Sequence, residues 1–385
     1  MALRLPRWES LSNDEQVPIA NLPLDKDYII TGGPGTGKTI LALYRASRLE
    51  EVHSTSGVTK TIKFLVYNKT LYEYLKQAIT EIGLSDADVQ NWHKWFYKYY
   101  FEKYHRYMPE TSPYNPDWQI LLKEFDNEMP IFDHLLIDEA QDLPKELMKI
   151  LRKLCKNCTI FADENQAIDQ NATNIAEITN AFDIPGRRYY LSKNYRNTQE
   201  IAAVAYLFYS GDTADLPAKS MRSGPKPYAI KVQDIDEVTQ FIADHGDNFP
   251  ESNIGVLVPP FESNVNTYFH KISEKTSISK CQMYKSKSKQ EFSFEQDGIK
   301  VLTYLGVKGL EFDTVFLPEI DSAYFTNNRK IMNQMHVCCS RAKNQLYFSY
   351  CDENSNSFVL QMLKKNNAII NFMDSLSLST SEVTF

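Results

Sequence analysis

The chain contains 385 residues, and this length favours two or three domains over one. Hydrophobic residues make up 43% and charged residues 24%, as in ordinary soluble globular proteins, so a disordered or collagen-like chain is excluded. The formal net charge of −7 argues against a surface that is cationic throughout, whereas a local basic groove for nucleic acid stays open.

Residues 1–10 lack the apolar segment of a secretory signal, and no apolar run reaches the roughly 18 residues of a membrane-spanning helix. We therefore expect a cytosolic protein with no membrane partner. Among the six cysteines only Cys155 and Cys158 have the spacing of a metal-ligand pair, and no second pair completes a zinc site. The sequence favours reduced, mostly buried thiols.

Short β-branched and aromatic runs alternate with longer amphipathic stretches, the pattern of βα units that build a parallel sheet. The first set of predicted strands is Asp27–Thr31, Ile62–Tyr67, His134–Asp138, Thr159–Ala162 and Tyr189–Leu191. The second set is Tyr228–Val232, Asn253–Val258, Ile299–Tyr304, Thr314–Leu317 and Gln345–Tyr350. The sequence thus predicts an α/β fold of two domains, residues 1–190 and 191–385, with one amphipathic helix near residues 357–372.

The strand rhythm stops between about residues 91 and 130, where a helical, aromatic-rich insertion in the first domain is predicted. Its rings from Trp92 onwards recur at helical spacing, which is typical of an apolar stripe packed on the domain. The interleaved cations instead fit a face for single strands, where bases stack on rings and cations meet phosphates. Both interpretations stay open; the cations are Lys94, Lys98, Lys103 and Arg106.

A phosphate-binding motif follows the first predicted strand. The segment Gly32-Gly-Pro-Gly-Thr-Gly-Lys38-Thr39 runs from that strand into a clear helix, which is the G-x4-G-K-[ST] pattern in its required context. Its glycines let successive N–H groups face a triphosphate at the positive end of the helix. Lys38 is expected to reach the β- and γ-phosphates, and Thr39 to bind Mg²⁺. The nucleotide-binding residues of this loop are Gly32, Gly33, Gly35, Thr36, Gly37, Lys38 and Thr39.

An acidic motif ends a later apolar strand as Asp138-Glu-Ala-Gln-Asp142. Carboxylates at the carboxyl end of a parallel strand open onto the crevice where ligands of such sheets bind. Asp138 is expected to bind the Mg²⁺ shell, and Glu139 to orient and deprotonate the attacking water. Together the two motifs predict an NTPase.

Further motifs accompany these two in a fixed order. In the first domain they are Leu11-Ser-Asn-Asp-Glu-Gln16, Val66-Tyr-Asn-Lys-Thr-Leu71, Asn91-Trp-His93 and Phe161-Ala-Asp-Glu-Asn-Gln166. In the second they are Leu191-Ser-Lys-Asn-Tyr-Arg196-Asn, Val301-Leu-Thr-Tyr-Leu-Gly-Val-Lys-Gly-Leu-Glu311-Phe-Asp and His336-Val-Cys-Cys-Ser-Arg341-Ala-Lys. The ordered set resembles superfamily 1 helicases of the UvrD/Rep-like group, in a compact version that lacks their large second-domain insertion.

The resemblance implies two RecA-like P-loop domains with parallel sheets flanked by helices, and it implies a role for particular side chains. Gln16 would pair with adenine, Gln166 would sense the γ-phosphate, and Tyr195 would stack on adenine. Arg196 and Arg341 would reach the γ-phosphate from the second domain, and Glu311 would lie near the ribose. The implied nucleic-acid contacts are Tyr67, Asn68, Trp92 and His93, with Lys98 added from the insertion.

The resemblance implies an ATP hydrolase that uses ATP and Mg²⁺ as a DNA-dependent helicase or translocase with 3′ to 5′ polarity. Its expected partner is single-stranded or tailed duplex DNA, with RNA as a further candidate. The alternative is a nucleic-acid-sensing ATPase switch that regulates a partner nuclease, as in phage defence. No nuclease motif is visible in this chain, so cutting would require another subunit.

Overall fold

The computed structural model describes residues 7–56, 61–67, 69–84, 88–163, 173–184, 186–209, 218–284, 297–307 and 309–374. The chain divides into two compact units, Ala2–Ser192 and Lys193–Phe385.

The first unit is built on one sheet with helices between its strands. Its strands are β1 (Tyr28–Gly32), β2 (Ile62–Val66), β3 (Val89–Asn91), β4 (Glu110–Ser112), β5 (Asn115–Pro116), β6 (Phe132–Ile137), β7 (Cys155–Ala162) and β8 (Arg188–Leu191). Its helices are α1 (Gln16–Ala20), α2 (Lys38–Ser56), α3 (Lys69–Glu81), α4 (Trp92–Tyr104), α5 (Trp118–Glu124), α6 (Lys145–Leu154) and α7 (Ile175–Phe182). Short 3₁₀ helices cover Trp8–Ser10 and Ala140–Asp142.

Within the described residues six of these strands pair in parallel, in the order β3-β2-β6-β7-β1-β8. Strands β1 and β2 are buried along their whole length, as expected for parallel strands that helices cover on both faces. Because β7 lies between β1 and β6, the carboxyl ends of these three strands are neighbours. The P-loop follows β1, Asp163 follows β7, and Asp138 follows β6, so all three reach one edge of the sheet.

The segment around residues 91–130 contains α4, α5 and a small antiparallel hairpin formed by β4 and β5. The sequence predicted its helices but not the hairpin. One stripe of α4 enters the core of the unit, as the packing interpretation predicted; its buried residues are Trp92, Trp95, Phe96 and Tyr100.

The second unit has a parallel sheet of its own. Its strands are β9 (Lys193–Thr198), β10 (Lys219–Arg222), β11 (Tyr228–Lys231), β12 (Asn253–Val258), β13 (Cys281–Met283), β14 (Gly298–Thr303), β15 (Phe312–Leu317), β16 (Ala342–Tyr350) and β17 (Asn371–Asp374). Its helices are α8 (Gln199–Leu207), α9 (Ile235–Asn248), α10 (Glu262–Lys275), α11 (Arg329–Cys339) and α12 (Phe358–Lys365), with a 3₁₀ turn at Asn367–Ile369. Over the described ranges, seven strands pair in the order β13-β14-β12-β15-β16-β11-β17, and β9 pairs with β10. The predicted α/β class with parallel sheets is therefore confirmed.

The predicted helix over residues 357–372 is wrong in its second half. Helix α12 ends at Lys365, and Asn371–Asp374 instead forms strand β17, which pairs in parallel with β11. The register places Asn371 opposite Tyr228 and Phe372 opposite Ala229. The pairing partner lies more than a hundred residues upstream, so local helical spacing could not reveal it.

Cys155 and Cys158 are both unpaired thiols buried in the first unit, as the sequence favoured. Over the part of the chain that the structure describes, no helix is both long and apolar enough to cross a bilayer.

Candidate nucleotide site

The P-loop bends sharply between β1 and α2. Gly35 and Gly37 have backbone φ angles of 76° and 90°, in the left-handed region that glycine adopts without steric cost. A Cβ atom at Gly37 would lie 2.5 Å from the Nε2 atom of Gln16, so a side chain there would displace the Gln16 carboxamide. Helix α2 begins at Lys38, and its first turn directs N–H groups and positive dipole potential towards the loop. This backbone can hold a chain of phosphates.

Lys38 is buried and held by three acceptors. Its Nζ atom donates to the carbonyl oxygens of Gly32 and Gly33, at 2.7 and 2.9 Å, and to Oδ2 of Asp163 at 3.2 Å. Asp163 is 1% exposed, so the ion pair is shielded from solvent. The β7 end thus supplies an anion to the P-loop lysine.

Thr39 and Asp138 meet at the base of the loop. The Thr39 hydroxyl donates to Oδ2 of Asp138 at 2.7 Å. Burial, together with the neighbouring charge of Glu139, holds the pKa of Asp138 well above its usual range. Two adjacent buried acids beside a hydroxyl form a hard oxygen donor set, and a divalent cation would offset their electrostatic cost. The residues present therefore fit Mg²⁺.

Glu139 has an unusual backbone. Its φ and ψ angles of 53° and 42° are left-handed, a conformation that costs a non-glycine residue about 1–3 kcal/mol and clusters at functional sites. The Gln141 carboxamide donates from Nε2 to Oε2 of Glu139 at 2.5 Å and accepts from the Asp163 N–H at 2.9 Å. Gln141 is fully buried, so it fixes Glu139 relative to the end of β7.

Gln16 links the N-terminal segment to the P-loop. Its Nε2 atom donates to the Thr36 carbonyl oxygen at 3.1 Å, and its Oε1 atom accepts from the Ser12 N–H at 3.1 Å. The side chain is 5% exposed. The predicted adenine-reading carboxamide is therefore in direct contact with the loop, although its pairing with adenine stays a prediction.

Within the second unit, Arg196 pairs with Glu311. Its Nε atom donates to Oε1 of Glu311 at 2.8 Å, its Nη2 atom contacts the same oxygen, and Lys343 lies 3.2 Å from Oε2. Burial alone would raise the pKa of Glu311, but the charges of Arg196 and Lys343 reverse this and lower it to about 2. Glu311 is therefore a carboxylate held between two cations.

Asn197 connects the segment that carries Arg196 to the motif that contains Arg341. Its Nδ2 atom donates to the carbonyl oxygens of Ser340 and Ala342, at 2.9 and 2.5 Å, on either side of Arg341 in sequence. Its Oδ1 atom accepts from Nδ2 of Asn194 at 2.8 Å. The N-Y-R segment, which carries Tyr195 and Arg196, is thereby tied to the backbone that carries Arg341, whose side chain is buried.

The DNA/RNA helicase domain of Schlafen group 3 is the family whose model matches this chain, over residues 26–317. The match covers about three quarters of the chain and includes the P-loop, both acids and Glu311. The chain belongs to the Schlafen group 3 helicase-domain family.

A viral protein and a bacterial protein structure each show partial similarity to this chain. A protein of Acanthamoeba polyphaga mimivirus, described as a candidate ATP-dependent DNA helicase, is 28% identical over an alignment of 244 residues, and the match covers 56% of this chain. The chain spans 34% of the length of that viral protein. The C-terminal domain of a candidate DNA helicase from Lactobacillus plantarum WCFS1 aligns with a TM-score of 0.36 at 16% identity, over 46% of this chain and 98% of that one.

Among the residues predicted to contact a nucleic-acid strand, Tyr67 directly follows β2, and Trp92 and His93 begin α4 directly after β3. The Asn91 side chain caps α4 and donates to the Tyr67 carbonyl oxygen at 2.8 Å, which joins the two segments. His93 stacks on Tyr97, and Lys98 is exposed. Trp92 is only 9% exposed, so little of its ring is available to a base. Two further predicted residues, Asn68 and Gln166, lie outside the described residues.

Three hydrogen-bonding residues received no role from the sequence: Asp163 and Gln141 in the first unit and Asn197 in the second. All three stand inside motifs that the sequence identified, next to residues that did receive roles. Each makes at least one hydrogen bond to a residue far away in the sequence: Asp163 to Lys38, Gln141 to Asp163, and Asn197 to the backbone on either side of Arg341. They could have been predicted from one feature: each is a hydrogen-bonding side chain inside a motif, at a position expected to be buried, and buried polar side chains need hydrogen-bond partners.

Proposed function

We propose that this helicase domain is a UvrD-like superfamily 1 enzyme that hydrolyses ATP in a DNA-dependent manner and moves along single-stranded DNA with 3′ to 5′ polarity. One observation carries the proposal: Lys38, the Thr39–Asp138 pair and Glu139 meet at the carboxyl edge of one parallel sheet. This is where such sheets bind ligands. Unwinding of a tailed duplex is part of the proposal.

The P-loop would bind the triphosphate of ATP. Its left-handed glycines and the start of α2 direct backbone N–H groups to the phosphates, and Lys38 would exchange Asp163 and the two glycine carbonyls for phosphate oxygens. Gln16, which contacts Thr36, would pair with the adenine base through its carboxamide. Loss of the Lys38 ammonium group should therefore weaken nucleotide binding.

Thr39 and Asp138 would hold Mg²⁺, which when bound supplies positive charge next to the phosphates. The hydrogen bond between the two side chains holds Oγ1 of Thr39 and Oδ2 of Asp138 2.7 Å apart. Asp138 is fully buried, which strengthens electrostatic interactions at this point.

Glu139 would orient the attacking water and accept its proton. The hydrogen bond from Gln141 fixes the orientation of the Glu139 carboxylate, and a general base needs such positioning within hydrogen-bond reach of its proton. In the second unit, Arg196 and Arg341 are the proposed ligands of the γ-phosphate, with Tyr195 and Glu311 at the base and ribose. In other phosphoryl-transfer enzymes such arginines contribute on the order of 10³- to 10⁵-fold to the rate.

A phosphate-release assay tests the proposal, with no polymer, single-stranded DNA, tailed duplex or RNA added. Wild type should be stimulated most by single-stranded DNA and should displace the strand of a tailed duplex. Lys38→Ala should lose ATP binding, whereas Glu139→Gln should bind ATP without turnover. Lys149→Ala, at an exposed lysine of α6, is the matched control and should behave as wild type.

Two results would contradict the proposal. Turnover in Glu139→Gln equal to that of wild type would remove Glu139 as the base. Hydrolysis that no nucleic acid stimulates would remove the translocase function. Stimulated hydrolysis without strand displacement would instead favour the ATPase switch.

A further inference from the structure

Helix α4 has two faces of opposite character. The rings of its inner stripe lie in the core of the first unit, whereas Lys94, Tyr97, Lys98 and Phe101 follow one another at the i, i+3, i+4, i+7 spacing of a second stripe. Lys94, Lys98 and Phe101 are exposed, whereas Tyr97 is half-buried, packs against the core and donates its hydroxyl to Oε1 of Glu110 at 2.5 Å. We define the α4 outer face as this stripe together with Tyr107 and Tyr114 from the segment that follows the helix.

Large rings on this face are unusually accessible. Tyr107 is 87% exposed and Tyr114 is 80% exposed. The Phe101 and Tyr107 rings lie 5.5 Å apart between centroids at the C-terminal end of the helix. His93 stacks on Tyr97 at 4.2 Å near the other end, and Tyr114 lies 6.3 Å from His93. The face therefore presents two ring groups rather than scattered single rings.

The two ring groups are separated by a distance that suits a polymer. Positions 93 and 101 of α4 are about 12 Å apart along the helix axis at 1.5 Å per residue. At about 3.4 Å per stacked nucleotide, that distance corresponds to three or four bases. A single small ring system could not contact both groups, whereas an extended strand could.

The cations of α4 and of the segment just after it are divided between two sides. Lys103 pairs with Glu128 at 2.5 Å, and Arg106 pairs with Glu124, so both are tied to the α5 side of the insertion. Lys98 is 66% exposed, and its partner Glu102, at 3.6 Å, is itself exposed. Among the described residues no carboxylate lies within ion-pair distance of Lys94. The two lysines between the ring groups are thus accessible to an anion.

We propose that the α4 outer face binds a segment of single-stranded nucleic acid. Bases would stack on the Phe101–Tyr107 pair and on Tyr114 with the His93–Tyr97 stack, and phosphates would meet Lys94 and Lys98. Rings interleaved with accessible cations favour a polyanion with flat bases over an apolar peptide, because every base offers a π face and every linkage a charge. The inference rests on the proposed function. It assigns base stacking to the rings of the α4 outer face instead of to the buried Trp92.

Fluorescence anisotropy with a labelled single-stranded oligonucleotide, as DNA and as RNA, tests this inference on the full chain. Tyr107→Ala and Tyr114→Ala should each weaken binding about 5- to 150-fold, whereas Tyr107→Phe and Tyr114→Phe keep the ring and should bind as wild type. The double variant Lys94→Gln/Lys98→Gln should lower the slope of log affinity against log salt by about 1.4. Tyr206→Ala, at an exposed tyrosine of α8, is the control for ring removal and should not change the affinity.

The outcomes separate this surface from the proposed function. Tyr107 and Tyr114 are exposed, so ATP hydrolysis without polymer should be unchanged in the Tyr107 and Tyr114 variants. If single-stranded nucleic acid stimulates hydrolysis by wild type but the alanine variants bind as tightly as wild type, the proposed role of the α4 outer face is contradicted and the proposed function stands. If wild type binds neither DNA nor RNA strands, both are overturned.

Discussion

The ammonium group of Lys38 lies 3.2 Å from the Oδ2 atom of Asp163, and both side chains are almost completely buried. The contact joins the loop after β1 to the end of the neighbouring strand β7. A buried ion pair is costly to break from one side, because the remaining charge loses its partner. In the proposed site, phosphate oxygens would compete with Asp163 for Lys38.

Asp163→Asn should therefore tighten nucleotide binding several-fold and lower the melting temperature measured without nucleotide. Asparagine keeps an acceptor for Lys38 but removes the competing charge. Titration with a fluorescent ATP analogue and a thermal melt measure the two effects. Asp126→Asn, in the exposed pair of Asp126 with Lys153, should change neither. Weaker nucleotide binding by Asp163→Asn would show that Asp163 supports the bound nucleotide instead of competing with it.

Gln141 should act on turnover rather than on binding. Gln141→Leu removes the donor to Glu139 and the side-chain acceptor of the Asp163 N–H, and the loss of these buried hydrogen bonds should cost about 1–3 kcal/mol of unfolding free energy and reduce kcat. The affinity for ATP should stay near that of wild type. Thr173→Val also removes a buried hydrogen bond, to the Leu143 carbonyl, and should reduce stability alone. An equal kcat in wild type and Gln141→Leu would make Gln141 purely structural.

The sequence predicted those parts of the fold that depend on local pattern. Strands such as Asn253–Val258 are buried on both faces, so each stands out as one continuous apolar run between polar segments. Strand β17 was missed because half of it is exposed at the sheet edge and its identity depends on pairing with β11. Strand β3 was also missed, because a segment of three residues is too short to show a strand pattern in the sequence.

The candidate site was predictable where residue type alone dictates chemistry. The P-loop and the Asp138–Glu139 pair follow strands that the pattern identified, and parallel strands bring their carboxyl ends to one edge. The hydrogen bond from the Asp163 N–H to Gln141, and those from Asn197 to the backbone around Arg341, were not predictable, because they join motifs that are distant in the chain. The role of Trp92 depended on which face of α4 turns inward, and spacing alone could not decide this.

His245 should make the second unit less stable in acid. Burial lowers its pKa from 6.5 to about 4, and its ring lies among Phe249, Phe316 and Tyr347. The unfolded chain therefore binds a proton near pH 6.5 that the folded unit does not bind until about pH 4. Unfolding free energy should fall by about 3 kcal/mol as the pH falls through this window, and this contribution should level off below it.

Urea denaturation of wild type and His245→Gln across this pH range measures the His245 contribution. The variant lacks the titrating group, so the difference between the two curves isolates it from the carboxylates. His270→Gln, at an exposed histidine of α10, should retain the wild-type pH dependence. Parallel curves for wild type and His245→Gln would contradict the prediction.

Asn197 should act on catalysis through Arg341. Asn197→Ala removes two donors to the backbone around Arg341, which should lower kcat while leaving the affinity for ATP largely unchanged. If this positioning is its role, the double variant Asn197→Ala/Arg341→Ala should lose no more kcat than Arg341→Ala alone, because residues that act as a unit are non-additive. Thr239→Val, which removes a buried hydroxyl of α9, controls for lost stability and should keep the wild-type kcat. Additive losses in the double variant would mean that Asn197 acts independently of Arg341.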